Sequence, residues 1–340
     1  MGMIPSWGST RFNRQSMQRK EFLKLSGLAG FGAGLLPGPL YSNRNIIKLI
    51  SQMTDGIGIQ LFSLPRLMEE NPGKSLELLA EMGYSEIELY GPYPFSAESN
   101  KKSWKEITTM LGFSGSGYFG VSESEFLNHC RELGLRIPSM HTDLDTLENH
   151  MPALGEAARK LGATYVTLPA IPPERRKNLE DYQRMADTFN SIGAAALSEG
   201  IRFAYHNHGY GLQQTNGVIP FELMLDATDP KGVFLEMDIF WTIAGRADPV
   251  AYLNKYKGRY KMMHLKDMLE LKYFSGDGGD PGQWVELFPL MTSTGSGVLD
   301  LEAIVKVASK TGVEHFFVEQ DMVSDPEVAL KESIDYLKDL

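Results

Sequence analysis

The chain has 340 residues, 42% hydrophobic and 10% aromatic, enough to bury a large core in one big domain or two. Its 43 acidic residues against 33 basic ones give a formal charge of -10, which argues against a protein that reads a nucleic-acid backbone and favours small-molecule partners. Cys130 is the single cysteine, so an intrachain disulfide and a zinc site built from thiolates are excluded.

The first 45 residues differ in kind from the rest. Residues 18–24 (QRKEFLK) precede a weakly apolar, glycine-rich run at 25–36 and then Pro37-Gly38-Pro39. A basic segment followed by about a dozen apolar residues is the plan of an export signal, and it is too short to span a bilayer. It resembles a twin-arginine signal through Arg19 and Phe22-Leu23-Lys24, with Lys20 where the second arginine belongs. The expectation is an exported, periplasmic protein with no stable membrane insertion. The alternative is a loosely packed N-terminal arm on a protein that stays in the cytoplasm.

From residue 56 onward, short apolar runs alternate with amphipathic segments. Residues 57–62 (IGIQLF) read as a strand, and 75–82 have helical spacing that stops at Gly83. Strand 86–90, helix 122–133, strand 136–141, helix 151–161, strand 165–168 and the long helix 179–199 follow. An apolar run then ends in two imidazoles and a glycine at 203–209 (FAYHNHG). After it come helix 220–226, strand 233–238, helix 249–256, strand 260–264, helix 301–310, strand 315–319 and helix 326–337. Eight βα units predict an α/β protein folded as a (β/α)₈ TIM barrel over residues 56–340. A doubly wound open sheet is the weaker reading, because no G-x-G-x-x-G turn follows the first strand. Inserts at 92–121 and 269–298 fall where strands end. Their aromatics Tyr93, Phe95, Trp104, Tyr118, Phe119 and Trp284 either wall a sugar pocket or pack on one another.

Polar residues at the C-terminal ends of barrel strands face the mouth. Here they are Gln60, Glu88, His141, His206, His208, Asp238, His264, Lys266 and Glu319. His206, Asp238, His264 and Glu319 end four successive strand-like runs, so they are expected to converge on one divalent cation. A mixed nitrogen and oxygen set suits manganese, zinc, cobalt or iron better than calcium. Singly each is a weak signal, since a histidine after an apolar run is usually structural. Together, two carboxylates buried in a barrel mouth call for a cation. Glu236 lies two residues before Asp238, which points it inward but deeper, as an orienting group. A keto group polarised by the metal would acidify its neighbouring C–H. Glu319 or His208 would take that proton, and Lys266 would stabilise the enediolate or be held in an ion pair with Asp267 or Glu236. Gln60, Glu88, His141 and Trp241 would line the substrate pocket.

The segments GIQL (58–61), IELY (87–90), YHNH (205–208), EMDIFW (236–241), MHLKD (263–267), GSGVLD (295–300) and VEQD (318–321) resemble the xylose isomerase-like TIM barrels, which include sugar epimerases and inosose dehydratases. By that resemblance His206, Asp238, His264 and Glu319 fall where the family places its metal ligands. Epimerases of the group have a glutamate at the strand-five position, where this chain has His206. Relatives with the YHNH pattern also carry a glutamate shortly after it, where this chain has Gly209-Tyr210-Gly211. The resemblance implies a divalent-metal-dependent sugar or cyclitol isomerase or epimerase that abstracts a proton next to a carbonyl. The alternative is a lyase or dehydratase acting on a keto-sugar, inosose or 3-keto-glycoside. A phosphodiesterase and a non-catalytic sugar-binding protein are weaker readings. A homo-oligomer is left open.

Overall fold

The computed structural model describes residues 56–339; the export-signal reading of residues 1–45 lies outside them. Eight parallel strands close into a barrel: β1 (Gly58–Gln60), β2 (Glu86–Tyr90), β3 (Arg136–His141), β4 (Tyr165–Leu168), β5 (Arg202–His206), β6 (Val233–Asp238), β7 (Tyr260–Leu265) and β8 (His315–Val318). Each strand pairs with its neighbour in sequence, and β8 returns to pair with β1. Helices over Pro72–Met82, Glu123–Glu132, Met151–Leu161, Leu179–Ser198, Pro220–Asp226, Pro249–Lys255, Leu301–Thr311 and Pro326–Asp339 surround it, within a few residues of the segments their periodicity predicts. No helix among the described residues is long and apolar enough to cross a membrane.

Strand alternation sorts the side chains. Residues such as Ile59, Ile87, Leu89, Met140 and Val166 point outward and are buried under the helices, within the main hydrophobic core. The inward set is apolar only at the bottom, where Tyr165, Ala204, Met262 and Phe317 form the floor. Gly58 lets Phe317 lie across that floor, because a Cβ there would meet the Phe317 ring at 2.4 Å. Above the floor the inward positions turn polar. Register sets Gln60 beside Glu88, His206 beside Glu236 and Asp238 beside His264.

Several elements depart from the periodicity. β1 is shorter than residues 57–62, because Leu61–Ser63 coil into a 3₁₀ turn capped by the Gln60 side chain, which accepts from Phe62 N at 3.2 Å. The insert at 92–121 holds a helix, Glu98–Leu111, whose Trp104 and Leu111 are partly buried against the core while none of its residues is fully buried. Short helices also form at Pro65–Glu70, Leu144–Asn149, Ile239–Ala244 and Pro281–Val285. In the second insert Asp267–Met268 pairs antiparallel with Met291–Thr292. The Asp267 carboxylate accepts from the backbone of Gly295 and Gly297 at 3.0 Å and of Leu299 at 3.2 Å, which ties the end of that insert to β7.

Candidate active site and metal centre

Strand ends bring all nine predicted mouth residues into one region, and each except the half-buried His208 is buried. Its hub is a pair of glutamates. Glu236 Oε2 lies 2.7 Å from His141 Nε2 and 2.9 Å from His206 Nδ1. Glu88 Oε2 accepts from Gln60 Nε2 at 2.9 Å and lies 2.6 Å from His264 Nε2 and 3.2 Å from His141 Nε2. The other ring nitrogen of His264 meets Glu319 Oε2. Beyond it Lys266 Nζ is surrounded by Glu319 at 2.7 Å, Asp321 at 2.8 Å and Asp238 at 3.0 Å.

Donor atoms close enough to share one ion form two groups: His141, His206, Glu236 and His264, and Asp238, His264 and Glu319, with atoms within 4.8 Å of one another in each. The four expected ligands are therefore divided between two groups that share His264. His206 bridges toward the other, its Nε2 3.7 Å from Asp238 Oδ2. Glu236 does orient two imidazoles, and it also stands among the donors themselves rather than below them. His141, expected to line the pocket, does the same. Lys266 does not pair with Asp267 or Glu236; its partners are Asp238, Glu319 and Asp321, and Asp267 is spent on the loop backbone. Asp321 received no role from sequence, although it stands two residues after Glu319.

The electrostatics follow from this packing. Burial alone would depress the His141 imidazole, yet Glu88 and Glu236 lift it to about 9. Glu236, Glu319 and Glu88 likewise overcome burial and hold His264 well above the usual histidine range. Against the cost of burial, those imidazoliums keep Glu88 ionised far below the ordinary carboxylate range and Glu236 down at about 2. Burial and the neighbouring His264 keep His206 neutral. His208 is pushed down to about 3 by burial and by Lys266, so it is a free base at neutral pH. Lys266 is locked as an ammonium by Asp238, Asp321 and Glu319 in spite of burial.

The set fits a dication. Among the described residues Glu88 Oε1 and Glu236 Oε1 are buried oxygens without a hydrogen bond, Glu236 Oε1 having only an ion-pair contact to His264 Nε2 at 3.4 Å, an arrangement that a bound dication would complete. Imidazoles with carboxylates suit zinc, manganese, cobalt or iron. The arrangement also supplies two imidazolium charges that one dication would replace in kind.

The aromatic inserts divide. Trp284 stacks on His208, with ring centroids 5.1 Å apart, and so reaches the site. Tyr93, Phe95 and Tyr118 instead contact one another, and Trp104 packs on Tyr90 and Phe113. Tyr93 and Tyr118 border a separate cleft of ≈ 390 Å³ with Pro92 and Lys101. Trp241 is buried in a hydrophobic cluster with Phe240, Phe274 and Leu287, its ring 5.8 Å from Lys266 Nζ.

The sequence pattern of the xylose isomerase-like TIM barrel matches residues 76–340. The chain belongs to that family. Within it, the chain is 31% identical over 275 residues to an inosose dehydratase of Clostridium perfringens, covering 78% of this chain and 87% of the relative. It is 28% identical over 284 residues to an inosose dehydratase of Clostridium beijerinckii, with the same coverage. Among solved structures, a sugar phosphate isomerase/epimerase from Parabacteroides distasonis superposes with a TM-score of 0.65 at 22% identity, over 83% of this chain and 93% of that one, which speaks for the fold. Members of the xylose isomerase-like family share the eight-stranded parallel barrel seen here.

Proposed function

We propose that this barrel is a divalent-metal-dependent isomerase or epimerase of keto-sugars or keto-cyclitols, working by proton abstraction beside a carbonyl. The observation that carries the reading is the pair of buried carboxylate oxygens without a hydrogen bond, Glu88 Oε1 and Glu236 Oε1, among three imidazoles at the barrel mouth. His141, His206, Glu236 and His264 would hold the cation, with Glu88 beside them and Asp238 and Glu319 on the far side of His264. A bound dication would polarise the substrate carbonyl and acidify the adjacent C–H.

The protein's own groups supply the proton handling. His208 is the free base: it is neutral, and its Nδ1 has no partner. Glu319 is less suited to that role than sequence suggests, because both His264 and Lys266 engage its Oε2. Lys266 places a fixed positive charge beside the site, favouring the negative charge that develops on the enediolate oxygen. His208 takes the proton from the hydroxyl-bearing carbon next to the carbonyl and the C–H electrons form the enediolate double bond. The hydroxyl proton then passes to the former carbonyl oxygen, the new carbonyl forms at the other carbon, and the imidazolium returns its proton to the former carbonyl carbon. A single base on one side returns the proton on the same face, so the His208 route gives isomerisation, and epimerisation would need a donor on the opposite face.

A second reading, dehydration, is favoured by the two inosose dehydratases the chain resembles along most of their length. The first step is the same. The hydroxyl on the carbon beyond then leaves as water, carrying the proton that His208 had taken.

The test is incubation of the metal-loaded protein in D₂O with ketoses, inososes and 3-keto-glycosides, followed by NMR. Deuterium at the carbon beside the carbonyl, without loss of water, supports isomerase or epimerase chemistry. Loss of water supports the dehydratase. No exchange with any member of the panel overturns proton abstraction.

A further inference from the structure

We propose that residues 269–290 of the second insert are a hinged lid over the barrel mouth, latched shut by Arg176 and Gln213, and that its opening gates access to the metal-type donors. The lid rests on the metal-centre reading above and is independent of which reaction follows.

The need for a moving part comes from burial. Glu88, Glu236, Asp238 and His264 are 0% exposed, and His206 and Lys266 are 1% exposed. A hydrated ion must exchange its water for these donors and a substrate must follow it, so a wall of the mouth has to swing away. His208, the half-buried base, is covered by Trp284, whose ring centroid lies 5.1 Å from its own with 24° between the planes.

The two inserts at this end of the barrel are built differently. The first, at 92–121, places Tyr93, Phe113, Tyr118 and Phe119 in the main hydrophobic core. Its backbone is tied to a strand end, with Gly117 N donating to Tyr90 O at 2.8 Å. The second insert joins a smaller, separate cluster through Phe274 and Leu287, and its residues 269–273 are all exposed. A segment that buries few apolar groups opens at lower cost than one set in the core.

The hinge lies where the pairing of Asp267–Met268 with Met291–Thr292 ends, closed by Leu269 N donating to Leu290 O at 2.8 Å. Beyond it the tip is bonded to itself. Gly278 N donates to Gln283 Oε1 at 2.8 Å, Trp284 Nε1 to Gly278 O at 2.8 Å, and Gly279 N to Asp277 Oδ1 at 2.9 Å. Those bonds survive opening, so the tip moves as one body and carries Trp284 with it.

The bonds that break are different ones. Arg176 Nη2 donates to Gly279 O at 3.0 Å while its guanidinium lies 3.9 Å from the Tyr210 ring centroid and its Nε holds Ile171 O at 2.8 Å. Gln213 Nε2 donates to Gly276 O at 2.9 Å, and Phe274 N to Ala244 O at 3.0 Å. All three lid contacts exchange readily with water, which makes the latch reversible, and the charged Arg176 donor is its strongest part. Shut, the indole shields His208 from solvent. Lifted, it uncovers that ring and the His206 ring 4.8 Å behind it.

The experiment locks the latch. Cys130, the single cysteine, is buried, so a Gln213→Cys/Gly276→Cys pair can be bridged by a short bis-methanethiosulfonate reagent and released with a phosphine reductant. A Cβ at Gly276 meets only the amide end of the Gln283 side chain, 2.7 Å from Nε2. Two rates are read: stripping of bound manganese by EDTA, followed by elemental analysis, and hydrogen exchange across 269–290 in the manganese-free protein, followed by mass spectrometry. Bridging should slow both at least about tenfold, with exchange across 92–121 unchanged and the wild-type rates restored on reduction. Arg176→Ala should speed both about tenfold, the effect of losing one hydrogen bond from a charged donor, with manganese content at saturation unchanged. Manganese leaving the bridged protein at the wild-type rate, or Arg176→Ala altering neither rate, overturns the lid. If manganese does not bind at all, hydrogen exchange decides: a response to bridging and to Arg176→Ala keeps the lid and sinks the metal centre, and no response sinks the lid.

Discussion

β2 carries two successive glutamates on its inward face, Glu86 toward the bottom of the barrel and Glu88 toward the mouth, and both are buried. Glu86 is fully matched: His315 Nδ1 lies 2.9 to 3.0 Å from both its oxygens, and Arg136 Nη2 is 3.0 Å from Oε1. Glu88 is lopsided, with three partners crowding Oε2 and none on Oε1. Burial and residue type are the same, so neither marks function. The discriminator is saturation: a carboxylate whose every oxygen is paired holds the fold together, and one with an oxygen left over awaits a ligand. The barrel register changes at the same level. β3 has one extra residue opposite the step from Glu86 to Glu88, and β7 has one extra residue opposite the step from Leu235 to Glu236. Bulges re-aim the side chains that follow them, and here one lies just below each glutamate that keeps an oxygen without a hydrogen bond.

Exchanging the two kinds of glutamate for glutamine gives the largest effects. Glu236→Gln should remove most bound metal and lower kcat/KM by at least about 100-fold, since loss of even a supporting group at a metal site costs about 10–100-fold. Glu86→Gln should leave kcat/KM within a few-fold and lower the unfolding free energy by about 1–3 kcal/mol, the cost of leaving buried partners unmatched. Elemental analysis, steady-state kinetics and urea unfolding of both variants check this. Equal activity losses would erase the distinction between mouth and floor.

Lys266→Met comes next. It leaves Asp238, Glu319 and Asp321 facing one another without their cation, and breaking a buried pair this way costs about 3–5 kcal/mol of stability. If Lys266 also favours the enediolate, kcat falls about 100-fold with KM little changed, as for loss of a group that stabilises developing charge. A stability loss with normal kcat would make it a purely structural ammonium.

The histidines sharpen the comparison through pH. His141 titrates at about 9 in the metal-free protein and His264 is also raised, so both carry protons at neutral pH. A metal must displace those protons, and binding at pH 7 should release about two of them. The sign follows directly: raising the pH toward 9 removes the competing proton from His141, so apparent metal affinity climbs over that range and the proton release shrinks. Calorimetry in buffers of different ionisation enthalpy counts the protons. Release of none would mean that the metal uses other donors.

Much of this site was legible in the sequence because it depends on period. Alternation along a strand put the site residues on the mouth face, and the βα repeat brought His206, Asp238, His264 and Glu319 to one end of the barrel, though divided between two donor groups. Depth within the mouth was not legible. Glu236 reads as lying below Asp238, yet it stands in the donor group with His141, His206 and His264. Asp321 follows Glu319 with the inward spacing, yet it lies past the end of β8, where alternation no longer governs direction. Trp284 stands in a loop whose placement depends on Arg176, Gln213 and Gly278, contacts between distant segments that no local pattern encodes. The helix Glu98–Leu111 lies within the glycine- and serine-rich insert and only partly buries Trp104 and Leu111 against the core.

The smallest predicted effect locates the boundary between floor and mouth. Ser139 follows the extra residue in β3 and faces inward between the two levels, its Oγ 3.1 Å from Thr167 Oγ1. Both hydroxyls are buried, and neither is left without a partner. Saturation places this pair with the structural groups even though it lies next in register to Glu88. Ser139→Ala removes one hydroxyl and should cost about 1 kcal/mol, with metal content and kcat/KM unchanged. Urea unfolding and kinetics on the same preparation decide it. A tenfold loss of activity at normal stability would mean that the catalytic region reaches below Glu88, and that hydrogen-bond saturation draws the line one layer too high.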